Sequence, residues 1–366
     1  MTDKLAVIGL GQAGLPVAVA FANAGLEVIG IDVDKAKVDA INKGINPMAG
    51  QEPGMDEMFK EAIDTGKLRA STDYTAIKDC QYVLIDVPTP VLGHVMSWKY
   101  IWKVIDGIAS KGIRGSQLFI VESTVTPGTT RKLAEMLADK THTDRGLLHF
   151  VHAPERVAPG FAMHRLRTSN RTIGGIDEES TEMAAKLYSR ICEGKMFKTT
   201  LETAEITKLV ENAYRDVQIA FATEIAAVCE KFGVDFEDVR VFAKETHVKC
   251  LKYRDFHAPG VGVGGTCIPK DPWLLAEAVP GRCHVLEAAR WTNDTQTIII
   301  AGRIKSIIQA NTNALSDPKI VQYGATFRED SNVTINSPAS ELLTLLSMRG
   351  RYYTTLHDPM LGGPSW

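Results

Sequence analysis

Residues 4–32 read KLAVIGLGQAGLPVAVAFANAGLEVIGID, and this stretch decides the fold class. Gly9, Gly11 and Gly14 form a G-x-G-x-x-G turn between a strand-like run and an apolar helix, and a second strand-like run ends in Asp32. The glycines permit a tight turn and close backbone approach, so a pyrophosphate can lie at a helix N-terminus where free N–H groups favour negative charge. Asp32 lies 18 residues after Gly14, where a carboxylate accepts hydrogen bonds from an adenosine ribose. The stretch predicts a Rossmann-like dinucleotide-binding fold.

The same residues favour NAD over NADP, because the carboxylate of Asp32 repels a 2'-phosphate. Lys37 either neutralises that charge or is a solvated lysine on the next helix. A helix-sheet turn that needs glycine for packing alone is the competing interpretation of the motif. Gln12 and Ala13 join the three glycines, Asp32 and Lys37 as cofactor-binding candidates.

The order of apolar runs along the chain indicates three domains. β-rich runs alternate with amphipathic segments from residue 4 to about residue 153, and the same pattern continues to about residue 200, which predicts an α/β fold with a parallel sheet covered on both faces. From Leu201 to Phe232 there is neither Gly nor Pro, and apolar residues recur at spacings of three and four, which predicts one long helix. We expect a Rossmann-like NAD-binding domain over 1–200, a central helical domain over 201–311 and an α/β domain over 312–366.

Composition narrows the class of partner. With 366 residues, 45% of them hydrophobic, and a net charge of -3, the chain resembles a globular protein without the basic footprint that binds nucleic acid or an anionic membrane. No apolar stretch approaches the roughly 20 residues that span a bilayer, so we expect a cytoplasmic location. The six cysteines form no C-x-x-C pair, and His247 with Cys250 offers only two ligands at a zinc-like spacing. Reduced thiols and no metal are expected.

One cysteine lies in a distinctive setting, in GVGVGGTCIPKDPWLLAEAV at 260–279. Asp271 and Pro272 resemble an N-cap followed by a first-turn proline, which places Cys267 just before a helix N-terminus. That position, with Lys270 nearby, is expected to lower the pKa of the thiol and favour a nucleophilic thiolate. The alternatives are an inert, small apolar cysteine and a carboxylate that only caps the helix.

Four further polar residues are candidates. Lys208 and Asn212 are four apart on the long helix and share a face, so an ammonium and an amide can converge on one oxygen atom. Thr124 and Glu155 follow strand-like runs at the carboxyl ends, where open α/β sheets bind ligands. The alternatives are a solvated helix face for the first pair and local hydrogen bonds within loops for the second.

An ordered set of motifs resembles the UDP-sugar 6-dehydrogenases of the UDP-glucose/GDP-mannose dehydrogenase family. The motifs are GLGQAGLP, VPTP at 87–90, STVTPGTT, APERVAPG, KLVENAYRD and GVGGTCIPKD. The resemblance implies a four-electron oxidation of a sugar alcohol to a carboxylate, with two hydrides passed to two NAD molecules. It also implies a role in the synthesis of surface polysaccharides.

The resemblance assigns roles to the candidates. Cys267 corresponds to the nucleophile, which adds to an intermediate aldehyde to give a thiohemiacetal and then a thioester. Lys208 and Asn212 correspond to the pair that stabilises alkoxide and oxyanion charge. Asp271 and Glu155 correspond to carboxylates that handle protons and the hydrolytic water. Thr89 and Thr124 would lie at the cofactor, where Thr124 would orient water near the nicotinamide.

The motifs also bear on the substrate. APERVAPGFAM and LVENAYRDVQIAFATEIA resemble UDP-N-acetylmannosamine dehydrogenases more than UDP-glucose dehydrogenases, which usually carry a second glutamate where Pro159 stands. UDP-glucose and another UDP-N-acetylhexosamine are the alternative substrates. The positions at which the family contacts the sugar nucleotide correspond to Arg156, Val157, Lys208, Asn212, Arg215, His247, Lys249, Gly260 and Arg328.

The C-terminal part departs from the family pattern. FREDSNVTINSP carries Arg328 for a lysine and Ile335 for an arginine, and Lys249 stands where arginine is usual. The chain stops at the second strand of its last α/β unit, so we expect an incomplete, truncated second α/β domain with an open sheet edge. Three classes of function follow: an active dehydrogenase, a catalytically impaired NAD-binding homologue, and a structural dimer without ligands. We expect a homodimer formed through the long helix 201–232.

Overall fold

The structure, a computed structural model, describes residues 3–114, 116–157, 160–246, 257–311, 318–327, 333–347 and 353–361. The chain divides into two compact units, Met1–Leu209 and Val210–Trp366. The boundary between them falls inside a helix that spans Leu201–Phe232. The three-domain division expected from the sequence stays a prediction.

The first unit is an α/β unit. Its described strands are β1 (Lys4–Ile8), β2 (Glu27–Ile31), β3 (Leu68–Ser71), β4 (Tyr82–Ile85), β5 (Val91–Leu92), β6 (Val95–Met96), β7 (Leu118–Val121), β8 (His149–His152), β9 (Arg171–Gly175) and β10 (Met196–Thr200). Its described helices are α1 (Gly14–Asn23), α2 (Lys35–Asn42), α3 (Met55–Asp64), α4 (Lys99–Lys111), α5 (Thr129–Thr141), α6 (Ala162–Thr168), α7 (Glu178–Tyr188) and the start of α8 (Leu201–Phe232). Short 3-10 turns lie at Tyr74–Asp79 and Arg145–Leu147.

An eight-stranded sheet forms the centre of this unit, in the order β10-β9-β8-β7-β4-β1-β2-β3. Neighbouring strands pair parallel from β3 to β8, which confirms the parallel sheet expected over residues 4 to 153. The expected continuation differs, because β9 runs antiparallel to β8, with Val151 opposite Gly175, while β10 pairs parallel with β9. The order of the strands brings the ends of β1, β4, β7 and β8 side by side.

The core of the first unit lies between this sheet and its helices. Every residue of β1 after Lys4 is buried, and α1 buries nine of its ten residues. Leu15 and Phe21 of α1 pack with the apolar side chains of the sheet in one cluster. This burial on all sides explains the nearly continuous apolar run at residues 5–31, which is typical of a parallel strand and the helix that follows it.

The second unit is mainly helical. It contains α8 from Val210 onward, α9 (Phe236–Thr246), α10 (Asp271–Ala278), α11 (His284–Asn311), β11 (Lys319–Tyr323), α12 (Pro338–Ser347), β12 (Tyr353–His357) and a 3-10 turn at Pro359–Leu361. The predicted long helix is confirmed with the bounds Leu201–Phe232. β11 and β12 pair parallel, and α11 and α12 bury a small core of Ala301, Leu342 and Leu346. Within the described ranges, no helix is both long and apolar enough to cross a membrane.

Candidate active site

The glycine-rich turn after β1 has two tightly packed glycines and one open glycine. A Cβ atom at Gly9, where φ is 96°, would lie 1.9 Å from the carbonyl oxygen of Asp86, and one at Gly14 would lie 2.0 Å from the carbonyl oxygen of Gly9. At Gly11 a Cβ would meet nothing within 4 Å, and Gly11 and Gln12 are exposed. Packing therefore explains two of the glycines and leaves Gly11 without a packing reason. The open backbone at Gly11 fits the pyrophosphate of a dinucleotide.

The N-terminus of α1 supports the same fit. Ala13 occupies the N-cap position without any side-chain capping bond, and the first turn of α1 holds no acidic residue. A helix begun in this way offers its N–H groups and dipole to an anionic group of a ligand.

Asp32 at the end of β2 is ionised and partly neutralised. Its Oδ2 accepts hydrogen bonds from the N–H of Leu10 and the ammonium of Lys37, each at 2.9 Å, and its Oδ1 accepts one from the N–H of Asp34. Burial alone would raise the pKa of Asp32, but these donors outweigh it and hold the pKa below its ordinary value. Lys37 is thus paired with Asp32, as one of the two sequence alternatives required.

The loops that follow β4 and β7 are tied together. The Thr89 hydroxyl donates to the carbonyl oxygen of Thr124 at 2.5 Å, and the backbone N–H of Val87 donates to the Ser123 hydroxyl at 2.8 Å. Thr89 is buried and Thr124 is half-buried. The two threonines are therefore held together, and Ser123, which sequence reasoning missed, fixes the distance between their loops.

Lys208 on α8 contacts Glu155 in the loop after β8. Its ammonium donates to the backbone carbonyl of Glu155 at 2.9 Å and to Oε1 at 3.2 Å, while the N–H of Val157 donates to Oε2 at 2.6 Å. The side chains of Lys208 and Glu155 are only 10% and 15% exposed. A solvated helix face is therefore the wrong interpretation of Lys208. A charge pair with so little exposure can hold or transfer a proton beyond the carboxyl end of β8.

Buried ionisable groups lie behind these loops and were not expected from the sequence. Glu122 follows β7 and accepts hydrogen bonds from the guanidinium of Arg171 at 3.1 Å and the hydroxyl of Tyr188 at 2.6 Å. Burial raises the pKa of Glu122, against the effect of Arg171. At the end of β8, burial and then the charge of Lys208 lower the pKa of His152 to about 3. Each is a single polar residue at the edge of an apolar run, which gives only a weak sequence signal.

Three of the predicted substrate-binding residues lie in loops or on α8. Arg156 donates a hydrogen bond to the Thr172 hydroxyl in β9 at 3.4 Å. Arg215 is exposed on α8, and Gly260 is exposed in the loop that precedes Cys267. The other candidates lie outside the described residues: His247, Lys249 and Arg328.

Cys267 lies in the second unit, four residues before α10 begins at Asp271. Its carbonyl oxygen accepts the N–H groups of Lys270 at 3.0 Å and Asp271 at 2.9 Å, which starts the helix. Its thiol lies 3.6 Å from the hydroxyl oxygen of Thr266. Over the part of the chain that the structure describes, Cys267 is the exposed cysteine, whereas Cys283 is half-buried and the others are buried. Its exposure and its place at a helix N-terminus suit a nucleophile.

Asp271 does not have the capping role that the sequence predicted. The N-cap position belongs to Lys270, which makes no side-chain capping bond, and Asp271 is the first residue of α10. The carboxylate, only 1% exposed, accepts a hydrogen bond at 2.5 Å from the amide of Asn212, which lies 59 residues earlier on α8. Lys270 places its ammonium 3.5 Å from the other carboxylate oxygen. A long-range partner replaces the local cap.

The loop before Cys267 is packed by residues from the C-terminal part of the second unit. A Cβ at Gly264 would lie 2.5 Å from the Cβ of Phe327, and one at Gly265, where φ is +90°, would lie 2.9 Å from the Phe327 ring. The Asn336 amide donates to the carbonyl oxygen of Gly265 at 3.2 Å. These contacts fix the backbone two residues before the thiol.

Within the residues that the structure describes, no three His, Cys, Asp or Glu side chains form a group able to hold a metal ion.

Two family models match the chain. The UDP-glucose/GDP-mannose dehydrogenase family, NAD binding domain, matches residues 3–192, and the central domain of the same family matches residues 202–295. The chain belongs to the UDP-glucose/GDP-mannose dehydrogenase family. The resemblance stated from the motifs is therefore confirmed. So are NAD as the cofactor and the oxidoreductase class of the enzyme.

Individual relatives agree along nearly the whole chain. The UDP-N-acetyl-D-mannosamine dehydrogenase of Pyrococcus horikoshii is 34% identical over 362 residues, which cover 98% of this chain and 84% of the relative. The enzyme of the same name from Escherichia coli (strain K12) is 34% identical over 369 residues, covering 97% and 85%. A solved structure of the UDP-D-ManNAc dehydrogenase from Pyrococcus horikoshii matches with a TM-score of 0.90, 34% identity and coverage of 98% of this chain and 84% of that chain.

Proposed function

We propose that this family member oxidises the C6 alcohol of a UDP-sugar to the carboxylate, with UDP-N-acetyl-D-mannosamine as the substrate and UDP-N-acetyl-D-mannosaminuronate as the product. The relatives that support this choice share 34% identity over nearly the full chain. The observation that carries the chemistry is the arrangement at the start of α10, where an exposed thiol lies four residues before a buried carboxylate that is bonded to an amide. UDP-glucose and another UDP-N-acetylhexosamine remain the alternative substrates.

Cys267 is the covalent nucleophile in this proposal. NAD, when bound, accepts the hydride that leaves the sugar carbon in each of the two oxidations. The thiolate of Cys267 attacks the aldehyde carbon left by the first oxidation, and loss of a second hydride from the adduct leaves a thioester on sulfur. Water attacks the thioester carbon, the carboxylate leaves and the thiol is regenerated. The exposure of the thiol and its place one turn before α10 support this role, because a helix N-terminus stabilises a thiolate.

Asn212 and Asp271 support the covalent steps. The amide that donates to Asp271 at 2.5 Å has a second N–H, which can stabilise the oxygen anion of a tetrahedral adduct. Asp271 orients that amide and exchanges protons with the adduct or the hydrolytic water.

Lys208 and Glu155 serve the alcohol and its proton, and Glu155 also takes a proton from the water that hydrolyses the thioester. An ammonium fixed by two oxygens of Glu155 can stabilise a developing alkoxide and pass a proton to the carboxylate. Thr124, held by Thr89, orients water near the nicotinamide. Substrate contacts are assigned to Arg156, Val157, Arg215, Gly260, His247, Lys249 and Arg328.

The homodimer expected from the sequence is also a proposal. Val210, Tyr214, Phe221 and Val228 recur along α8 and are 48% to 53% exposed. An apolar stripe of this kind is typical of a helix that packs against a partner, and an isologous contact between two copies would bury it. Sedimentation of the purified chain at micromolar concentration should give a dimer, and a monomer would contradict this assignment. The cytoplasmic location stays a prediction.

The test of the proposed function is the amount of NADH formed per sugar. The purified chain is given NAD with UDP-N-acetylmannosamine, UDP-glucose or UDP-N-acetylglucosamine, beside Cys267→Ser and the matched variant Cys283→Ser. We expect two NADH per molecule of UDP-N-acetylmannosamine, the loss or stalling of this reaction in Cys267→Ser, and little change in Cys283→Ser. Preference for UDP-glucose would overturn the substrate. NAD binding without turnover on any sugar would favour the impaired homologue instead.

A further inference from the structure

Asp86, which immediately follows β4, contacts both ends of the glycine-rich turn. Its carbonyl oxygen packs against Gly9 so closely that a Cβ there would be 1.9 Å away, and its Oδ2 would lie 3.1 Å from a Cβ at Gly14. The backbone N–H of Gly14 acts on the Asp86 carboxyl and lowers its pKa. The N–H of Asp86 in turn donates to the carbonyl oxygen of Ile8 at 2.8 Å. None of the roles assigned above uses this carboxyl group.

The position of Asp86 creates an electrostatic conflict when it is ionised. Gly14 is the first residue of α1, whose positive N-terminal end is the attraction that the turn offers to a pyrophosphate. An ionised Asp86 would add a second negative charge to the same helix end. Two anions that share one helix end repel each other.

The ionisable groups that act on Asp86 lie on or directly after four elements. Glu122 follows β7, Glu155 follows β8, Lys208 lies on α8 and Tyr188 lies on α7. Burial of the carboxyl and then the two glutamates raise its pKa well above the ordinary value, against the N–H of Gly14 and the charge of Lys208. The Lys208 ammonium is already shared with Glu155 at 3.2 Å, so it does not compensate Asp86 alone.

We propose that Asp86 is a further positioning residue of the NAD site, and that NAD binds the form of the protein in which Asp86 carries a proton. A protonated carboxyl still offers an acceptor oxygen to the N–H of Gly14, because only one of its oxygens bears the proton. It therefore holds the start of α1 in place without adding charge beside the pyrophosphate. This inference rests on the NAD site and not on the identity of the sugar.

Linkage gives the measurable consequence. Where Asp86 is ionised in the free protein, binding of NAD must take up a proton, and the Kd for NAD then rises by up to about tenfold per pH unit. Asp86→Asn keeps the shape and the acceptor but has no proton to lose. Its Kd should depend on pH less steeply than that of the wild type, and at high pH it should bind NAD more tightly.

The test is calorimetric titration of NAD into the full chain, from about pH 6 to about pH 9, in buffers of different ionisation enthalpy. We expect proton uptake and a Kd that rises with pH in the wild type, and neither in Asp86→Asn. Glu52→Gln is the matched control, since Glu52 is a buried carboxylate bonded to the N–H groups of Gly160 and Ala162, and it should keep the wild-type profile.

Two results would overturn the proposal. One is the same pH dependence in Asp86→Asn as in the wild type. The other, which needs no variant and so holds even if Asp86→Asn fails to fold, is release of a proton by the wild type on binding NAD, with a Kd that falls as the pH rises. Because the readout is NAD binding, failure here leaves the proposed oxidation untouched, and an inactive enzyme can still show the predicted proton uptake.

Discussion

The chain contains two glycine-rich turns that are held in different ways. The turn at residues 9–14 is packed by backbone atoms of residues that directly follow strands of the central sheet, with Gly9 against Asp86 and Gly14 against Gly9 itself. The loop at residues 260–267 is packed by side chains of the C-terminal part, with Gly264 and Gly265 against Phe327. The difference shows that the cofactor turn is a property of the sheet, whereas the position of the thiol depends on residues distant in sequence.

The largest effect should follow from filling the cofactor turn. In Gly14→Ala, the new Cβ would lie 2.0 Å from the carbonyl oxygen of Gly9. We therefore expect the first unit to lose about 3 kcal/mol or more of its free energy of unfolding, and NAD binding to disappear. Thermal unfolding and NAD titration measure both.

Gly11→Ala is the control for this change, because nothing lies within 4 Å of a Cβ at Gly11. It should unfold at nearly the wild-type temperature and still lose NAD affinity, since the methyl group occupies the approach of the pyrophosphate. Normal NAD affinity in Gly11→Ala would contradict the assignment of this turn.

A second change tests the other half of the comparison. Gly265→Ala introduces a methyl group 2.9 Å from the Phe327 ring at a φ of +90°, which shifts the backbone that carries Cys267. We expect turnover to fall about 100-fold, because small misplacements of reacting groups have effects of this order. The Kd for NAD should stay within about twofold of the wild-type value, since the cofactor turn does not depend on this loop.

The matched control is Gly281→Ala, which has a similar φ of +72° but an empty surrounding. It imposes backbone strain of the same kind without touching Phe327. Equal losses of turnover in the two variants would mean that strain alone, and not the contact with Phe327, explains the effect of Gly265→Ala.

His152, a buried ionisable group of the first unit, should make the stability of the chain depend on pH. Its pKa of about 3 in the folded chain lies below the ordinary 6.5, so protonation favours the unfolded state. Stability is therefore present above about pH 6.5 and is lost as the pH falls, by about 2 kcal/mol between pH 7 and pH 5. Urea unfolding at both values should show this loss in the wild type and a smaller one in His152→Gln. An identical loss in both proteins would show that His152 does not cause the loss of stability.

The smallest effect concerns the charge at the ribose end of the cofactor turn. Lys37 pairs with Asp32 at 2.9 Å, and Lys37→Ala would leave the Asp32 carboxylate less neutralised. The ratio of the Kd for NADP to the Kd for NAD should then rise by about threefold, the size expected for a partly exposed ion pair. Lys35→Ala, which removes an exposed pair with Asp39, should leave the ratio unchanged. A ratio that falls in Lys37→Ala would reverse our interpretation of this pair.

Local sequence patterns predicted the elements that need only an apolar surface to pack against and no particular partner residue. The apolar run around Gly9 and the uninterrupted periodicity from Leu201 to Phe232 both specify structure through burial alone, and both appear in the structure as expected. The direction of β9 was missed, because a strand's own residues do not state whether its neighbour runs parallel. The short strand β3 was missed as well, since Leu68 and Ala70 are its only buried residues.

The candidate site was predictable in its residue types and less so in their contacts. Asp271 matched an N-cap pattern, and only the fold reveals that its carboxylate meets Asn212 on another helix. Asp86 follows a core strand as a single acidic residue, which the sequence alone does not distinguish from a loop aspartate. Such partners are brought together by the packing of elements distant in the chain, and no local period encodes them.

The measurement that tests the account most directly is the mass of the protein during turnover. Wild type, Glu155→Gln and Cys267→Ser are each incubated separately with NAD and UDP-N-acetylmannosamine. Each reaction is quenched in acid, and the protein is examined by intact and peptide mass spectrometry. We expect the chain to gain the mass of the sugar nucleotide less four hydrogens, on the peptide that contains Cys267, with more adduct in Glu155→Gln and none in Cys267→Ser. Two NADH per sugar from Cys267→Ser, or the same adduct on another residue, would contradict the assignment of Cys267 as the nucleophile.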